Sequence, residues 1–175
     1  AETLRTACEA SQAVCVSLKK EKKTALPPKL FDLTSLQREA NRIYGFTAKQ
    51  TLDYAQSLYE KRYLTYPRTD SNYLTEDMAQ TATDLVAALM SVLPFMQGAE
   101  LTPEIGRVIN SAKVSDHHAI IPTAAFAGSG FDGLPESEKK LMSIVCCKLL
   151  CAVAEPFVYE VVTAAFECGG YTFTA

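Results

Sequence analysis

The chain has 175 residues, of which 48% are hydrophobic, enough for one sizeable core and for one or two domains. Its formal net charge of −3 argues against a wholly basic nucleic-acid binder, and no run of about 20 apolar residues predicts a membrane span. The six cysteines contain no CxxC pair and only two histidines accompany them, so no zinc-ligand spacing exists. We expect reduced thiols and a cytoplasmic location.

Charge is distributed unevenly along the chain. Residues 19–68 hold eleven Lys or Arg against five Asp or Glu, whereas residues 69–175 hold five against thirteen. The first of these segments could attract a polyanion that the second repels. A lysine-rich linker around "KKEKK", residues 19–23, is the alternative explanation.

A strand is the first predicted element. Val14, Val16 and Leu18 alternate with other residues in "SQAVCVSLKK", and a period of two is typical of a β-strand. The stretch "EKKTALPPK" is expected to break it, because paired prolines fit neither a helix interior nor a sheet centre.

Two helices are predicted next. In "FDLTSLQREANRIYGF", Thr34 and Gln37 form a capping-box pattern, apolar residues share one helical face, and Gly45 is a suitable helix end. Thr47 with Gln50 repeats the capping pattern before a second amphipathic helix. Two capped helices joined at Gly45 resemble a helix-turn-helix unit, which is a weak signal because helical hairpins are common in α-rich domains.

The middle of the chain predicts two further helices separated by loops. Thr75, followed by two acidic residues, is expected to cap a helix that extends to about Leu93. Residues 94–135 are rich in glycine and proline and predict loops. A helix near residues 136–154 has an apolar stripe, and two cysteines four apart in it are expected to act as small core residues.

The end of the chain predicts a hairpin, since "FVYEVVTAAFECGGYTFTA" contains two strand patterns around Gly169-Gly170. Strands at both ends and helices between them predict an α+β fold, mainly α with flanking β. The expected boundaries are a strand segment over residues 1–24, a helical domain over 25–154 and returning strands over 155–175. Because the chain lacks an initiator methionine and stops within a strand pattern, we expect a fragment of a larger protein.

The stretch "LTYPRTDS" contains the first candidate for chemistry. Tyr66 precedes a proline, which disfavours the α region for its backbone. A tyrosine hydroxyl with an ordinary pKa of about 10 becomes a good nucleophile only where its anion is favoured. Arg68 lies two residues on, so on an extended segment both side chains would point to one side and could contact one phosphate. The alternative is a packed structural tyrosine and a surface ion pair between Arg68 and Asp70.

A second candidate is "SDHHAIIPT", which places His117 and His118 directly after Asp116. Together the two imidazoles could supply phosphate or base contacts, and Asp116 is the only obvious carboxylate for a relay. The alternative is that both histidines are structural or solvated.

These motifs carry a resemblance to a known family. The stretch "LFDLTSLQREANRIYGFTAKQTLDYAQSLYEKRYLTYPRTDSNYL" closely resembles the active-site region of type IA DNA topoisomerases, above all the topoisomerase III branch. "SDHHAIIPT" is similar to a second motif of that family. The resemblance is strong over residues 27–123, and the combination of these motifs is highly specific.

The resemblance implies a role for several residues. Tyr66 matches the tyrosine that attacks a DNA phosphodiester and becomes joined to the 5′-phosphate. Arg68 matches the arginine that positions and neutralises that phosphate, and His117 matches a histidine that helps to hold the cleaved strand. Gln37 and Arg38 fall in a helix that packs near the tyrosine, and His118 stands where related enzymes vary. The residues expected to contact DNA are Arg68, Gln37, Arg38, Thr69 and His118.

The family also implies an activity. Its members cut one strand of single-stranded or underwound DNA without ATP and reseal it, which relaxes negative supercoils or decatenates DNA. They carry a Toprim domain whose acidic cluster binds Mg²⁺ and whose glutamate protonates the leaving 3′-oxygen. No DxD pair occurs in this chain, so we expect both functions to come from outside it, and we expect the fragment to be a monomer that is inactive alone.

The family implies a fold as well. Its tyrosine lies in a multi-helical domain that is inserted into a β-rich domain, and this second domain forms the arch of a toroid. Two rival hypotheses remain open. The first is a non-enzymatic helix-turn-helix module that binds duplex DNA through residues 34–62, and the second is a helical domain that binds another protein.

Overall fold

The computed structural model describes residues 1–175, apart from the side chain of Phe95. The chain forms two compact units, one comprising residues 1–26 with 156–175 and the other residues 27–155. We call them the sheet unit and the helical unit. The presence of six helices and a three-stranded sheet confirms the predicted α+β class.

The secondary structure has the following bounds. The helices are α1 (Glu2–Glu9), α2 (Leu33–Tyr44), α3 (Ala48–Glu60), α4 (Ala79–Val92), α5 (Ala124–Ser129) and α6 (Glu136–Val153), and the strands are β1 (Val14–Ala25), β2 (Phe157–Cys168) and β3 (Tyr171–Thr174). Short 3-10 turns occupy Glu76–Met78, Pro94–Met96, Ile105–Val108 and Ser111–Lys113. None of the helices that the structure describes is long and apolar enough to cross a membrane.

The sheet unit is an antiparallel meander in the order β1-β2-β3. The hairpin predicted at Gly169-Gly170 is confirmed, with φ values of 57° and 80° that glycine adopts readily. The predicted break of β1 within "EKKTALPPK" is confirmed. The strand continues to Ala25, where it pairs with Phe157, and it stops just before the prolines. Lys22 and Lys23 are strand residues, because their backbones pair with Glu160 and Tyr159 of β2.

Helix α1 was not predicted, since residues 1–24 were expected to form only a strand segment. Its C-terminal end packs against the hairpin turn. The Cys8 thiol donates to the carbonyl of Cys168 at 3.8 Å, and the backbone of Ala7 lies so close to Gly169 that a Cβ there would be 2.6 Å from it. The contact joins residues from opposite ends of the chain, which local patterns do not reveal.

In the helical unit, the start of α2 differs from the prediction. Asp32, not Thr34, is the N-cap, and it forms a capping box with Ser35 in which the Asp32 carboxylate accepts from the Ser35 amide at 2.6 Å. The helix therefore begins at Leu33, and Thr34 lies in its first turn. The end at Gly45 is confirmed, with φ of 70°, as is the second capping box of Thr47 and Gln50.

The predicted start of the next helix at Thr75 also needs correction. Thr75 leads into a 3-10 turn and makes no side-chain capping bond, and the backbone amide of Glu76 donates instead to the Ser111 hydroxyl at 3.0 Å. Helix α4 follows and has Leu93 as its C-cap, as expected. Within the loop-rich stretch, Thr123 caps the unpredicted short helix α5 by accepting from the amide of Phe126.

Helix α6 supplies much of the core of the helical unit. Its predicted apolar stripe is confirmed, since all four of its residues are buried: Leu141, Val145, Leu149 and Ala152. The expectation for its cysteines was partly wrong. Cys151 is exposed and Cys147 is half-buried, whereas Cys146 is fully buried and its burial raises the pKa of its thiol.

Candidate functional site

The segment that carries Tyr66 is fixed against residues 119–123. The amide of Thr65 donates to the Ile121 carbonyl at 3.0 Å, and the amide of Ile121 donates back to the Thr65 hydroxyl at 2.9 Å. Pro67 is buried on the other side of Tyr66. The second motif identified in the sequence is therefore the neighbour that holds the first one in place.

The ring of Tyr66 is half-buried between two aromatic side chains. Its centroid lies 4.3 Å from that of the His117 ring and 5.4 Å from that of Tyr59, which meets it edge-on. The Tyr66 hydroxyl forms none of the side-chain hydrogen bonds found among the described residues, including those of the neighbouring Thr65 and His118. The ring is thus held by packing, and its hydroxyl points to no hydrogen-bond partner among the described residues.

Arg68 is exposed and lines a cleft of about 440 Å³ together with His117. The alternative ion pair with Asp70 is not among the salt bridges of the described residues, and Asp70 instead accepts a long 3.5 Å hydrogen bond from Ser115. The guanidinium is therefore free to meet an anion. Because His117 also contacts the Tyr66 ring, it connects the tyrosine with the cleft that contains Arg68.

Thr69 lines the same cleft but is only 8% exposed. Its hydroxyl donates to the His117 carbonyl at 2.8 Å and accepts from the Ser71 amide at 3.1 Å. Both hydrogen bonds are made within the chain, so the Thr69 side chain positions the backbone of His117.

His118 lies apart from His117, in a second cleft of about 500 Å³ that Tyr66 also lines. One of its ring nitrogens, Nδ1, lies 2.8 Å from the carbonyl of Ala119. The two adjacent histidines therefore serve two different clefts.

Gln37 and Arg38 line neither of these clefts. The side-chain amide of Gln37 donates to the Ala48 carbonyl at 3.0 Å and so ties α2 to the first turn of α3. Arg38 is exposed, and its charge acts on Asp32. Their expected contact with DNA stays a prediction.

Asp32 is a cleft residue that the sequence analysis missed. Partial burial raises the pKa of its carboxyl, but hydrogen bonds from Ser35 and Asn72, with the charge of Arg38, outweigh burial and lower the pKa below its ordinary value. The Asn72 amide donates to Asp32 at 3.0 Å. The capping pattern "DLTS" is the local signal that could have identified it.

The acidic residues of this cleft do not form a metal site. Asp32, Asp70 and Asp116 all line it, yet the described residues contain no group of three His, Cys, Asp or Glu side chains that could hold an ion. The expectation that Mg²⁺ is held by residues outside this chain stays a prediction.

Comparisons with known proteins show where the chain belongs. The family described as "DNA topoisomerase" matches residues 1–175. DNA topoisomerase 3 of Bacillus licheniformis is 43% identical over 97% of this chain and 24% of its own length, and that of Bacillus subtilis is 41% identical over 95% and 23%. The structure of full-length topoisomerase I from Thermotoga maritima matches with a TM-score of 0.71 and 27% identity, over 100% of this chain and 29% of that one. The chain thus spans about a quarter of the length of the curated relatives named here, and it belongs to the type IA DNA topoisomerases, in the topoisomerase III branch.

Proposed function

We propose that this chain is the tyrosine-bearing part of an enzyme that cuts and reseals one strand of single-stranded or underwound DNA. The observation that carries the proposal is the arrangement around Tyr66. An unpaired hydroxyl sits on a ring packed against His117, and His117 shares a cleft with the unpaired guanidinium of Arg68. Tyr66 and Arg68 line different clefts, and His117 links them because it packs on the Tyr66 ring and lines the cleft of Arg68.

The reaction is a transesterification. The Tyr66 hydroxyl gives up its proton to solvent water and its oxygen bonds to phosphorus, while the bond between phosphorus and the 3′-oxygen breaks. Arg68 neutralises charge on the phosphate, and His117 helps to hold the cut strand. The 3′-oxygen takes up a proton from an acid outside these 175 residues, and attack by the same oxygen reverses the step. One ester replaces another, so resealing needs no ATP.

The other expectations follow from this function. The helical unit would be inserted into a β-rich arch domain, to which the sheet unit would contribute strands. Mg²⁺ and the general acid would be supplied by a Toprim domain elsewhere in the enzyme. The full-length protein would relax negative supercoils or decatenate DNA in the cytoplasm, and this chain alone would be an inactive monomer.

The nucleophile is tested with Tyr66→Phe in the full-length enzyme. We expect no covalent complex when a single-stranded oligonucleotide reaction is stopped with denaturant, because the attacking oxygen is gone. The free energy of unfolding should change by less than about 0.5 kcal/mol, since the lost hydroxyl has no partner among the described side chains. Tyr63→Phe is the matched control: Tyr63 lies three residues earlier, packs on Phe126 with centroids 6.0 Å apart, and should leave cleavage intact.

Persistent linkage of DNA to the Tyr66→Phe enzyme would refute the proposal and would favour the helix-turn-helix alternative, in which this substitution is harmless. Inactivity of the chain alone is checked with negatively supercoiled plasmid and Mg²⁺. Relaxation in proportion to added protein would contradict that expectation.

A further inference from the structure

Arg62 occupies a backbone position that normally belongs to glycine. Helix α3 ends in a Schellman motif, in which the amide of Tyr63 donates to the Leu58 carbonyl at 2.9 Å and the amide of Arg62 to the Tyr59 carbonyl at 2.8 Å. This motif requires a left-handed residue directly after the C-cap, and Arg62 has φ of 62°. Helix α2 ends on Gly45 with φ of 70°, which shows the usual solution in the same unit.

Arg62 is the one non-glycine residue with positive φ in the backbone that the structure describes. A side chain in this conformation strains the backbone, because its Cβ approaches the following carbonyl oxygen. The strain cannot relax easily, since the Thr123 hydroxyl holds the Arg62 carbonyl at 2.5 Å. The folded state therefore tolerates an arginine where glycine would be more stable.

The contacts of the Arg62 side chain do not explain why an arginine occupies this position. Arg62 is exposed, and its guanidinium forms no hydrogen bond or salt bridge with the side chains that the structure describes. Strained residues that bring no stabilising contact are concentrated at functional sites. The strained Arg62 side chain is therefore a candidate for a role other than stabilising the fold.

The location of Arg62 indicates which ligand its side chain could bind. It lines the second cleft, of about 500 Å³, with Tyr59, Tyr66 and His118. Arg62 is the only lysine or arginine among the lining residues, whereas Arg68 belongs to the other cleft. Glu60 also lines this cleft, and its carboxylate accepts a hydrogen bond from Gln56 at 3.1 Å. Without Arg62 the second cleft would therefore repel an anion.

We propose that this second cleft binds the nucleotide next to the one that Tyr66 attacks, with Arg62 as its phosphate contact. The proposal rests on the proposed function of Tyr66. A strand that presents one phosphate to Tyr66 and Arg68 must place a neighbouring nucleotide alongside, and a cleft that shares Tyr66 is in position to receive it. Tyr59 is 40% exposed and offers a ring for base stacking, which tolerates any sequence.

The experiment combines stability with DNA binding in three variants of Arg62. Arg62→Gly removes the charge and the strain, Arg62→Asn removes the charge while keeping a residue that tolerates positive φ, and Arg62→Lys keeps the charge. Lys49→Gln is the matched control, because Lys49 is exposed at the opposite end of α3. Melting temperature is measured on this chain, and binding of a single-stranded oligonucleotide is measured over a series of salt concentrations with the chain and with the full-length enzyme.

We expect Arg62→Gly to melt about 2–4 °C higher than the parent while binding the oligonucleotide about tenfold more weakly. The slope of log affinity against log salt should shrink by about 0.7, the value for one phosphate contact on a single strand. Arg62→Asn should bind as weakly as the glycine variant, Arg62→Lys should recover most of the affinity, and Lys49→Gln should match the parent in both measurements.

Two results would overturn the proposal. Unchanged affinity and salt slope in Arg62→Gly would show that the arginine does not contact DNA, and a lower melting temperature in that variant would show that the arginine serves the fold. Failure of the nucleophile is a separate outcome. It would appear as covalent DNA on the Tyr66→Phe enzyme, whereas the contact made by Arg62 is judged from equilibrium binding alone.

Discussion

The buried carboxylate of Glu138 provides a quantitative test of how the C-terminal end of α3 is held. Glu138 lies in the first turn of α6, where its side chain is only 7% exposed. It accepts from the Lys61 ammonium at 2.5 Å and from the Ser57 hydroxyl at 2.8 Å. Both donors belong to the last turn of α3 or its C-cap, which leads into the segment of Tyr66.

The perturbation is Lys61→Met, which keeps the aliphatic stem and removes the charge. Breaking a fully buried ion pair from one side costs roughly 3–5 kcal/mol, because the remaining charge is left without compensation. The Lys61 side chain is 39% exposed, so water can partly replace the ammonium. We therefore expect Lys61→Met to lower the free energy of unfolding by about 2 kcal/mol.

A double-mutant cycle with Glu138→Gln isolates the pair. We expect a coupling energy of about 1 kcal/mol between the two positions, measured by urea unfolding followed by circular dichroism. Lys49→Met is the control on the same helix, because its ion pair with Asp53 is exposed, and it should leave the unfolding midpoint unchanged. A coupling energy below about 0.3 kcal/mol would refute the idea that the charge pair, and not simple packing, fastens α3 to α6.

Two further predictions concern the cap of α2 and the turn of the hairpin. Hydrogen bonds give Asp32 a lower pKa in the folded chain than its ordinary 3.8, so its stabilising effect is complete above that value and is lost as the pH falls through the lower folded value. Acid unfolding below about pH 4 should therefore be shallower in Asp32→Asn, which still caps the helix, and an identical pH profile would contradict this. Gly169→Ala should destabilise the sheet unit more than Gly170→Ala does, because its new Cβ would meet Ala7 at 2.6 Å whereas that at Gly170 meets nothing within 4 Å. We expect Gly170→Ala to lower the free energy of unfolding by about 1–2 kcal/mol, measured by thermal unfolding. Equal losses of stability in both variants would exclude the clash with Ala7 as a cause.

Much of the fold could be predicted from local patterns. The stripe of α6, the capping box of Thr47 and Gln50, and the Gly169-Gly170 hairpin depend on residues within one or two turns of each other. The N-cap of α2 was mispredicted because two neighbouring residues both fit a capping pattern. Thr34 and Asp32 are both good capping residues, and in the structure Asp32 caps α2 while its carboxylate also accepts a hydrogen bond from Asn72 in a distant loop.

The sequence by itself determined the family, because "LTYPRTDS" and "SDHHAIIPT" are specific as motifs even before they are known to be neighbours. Only the tertiary structure decided how the candidate residues are grouped. In the folded chain the ring of His117 packs against that of Tyr66, and His118 lines the second cleft. The backbone of Arg62 adopts a positive φ, which no local pattern predicted. The physical reason is that contacts across long stretches of chain form only when distant segments pack together. Backbone strain, likewise, is a property of the folded conformation and has no signature in residue type alone.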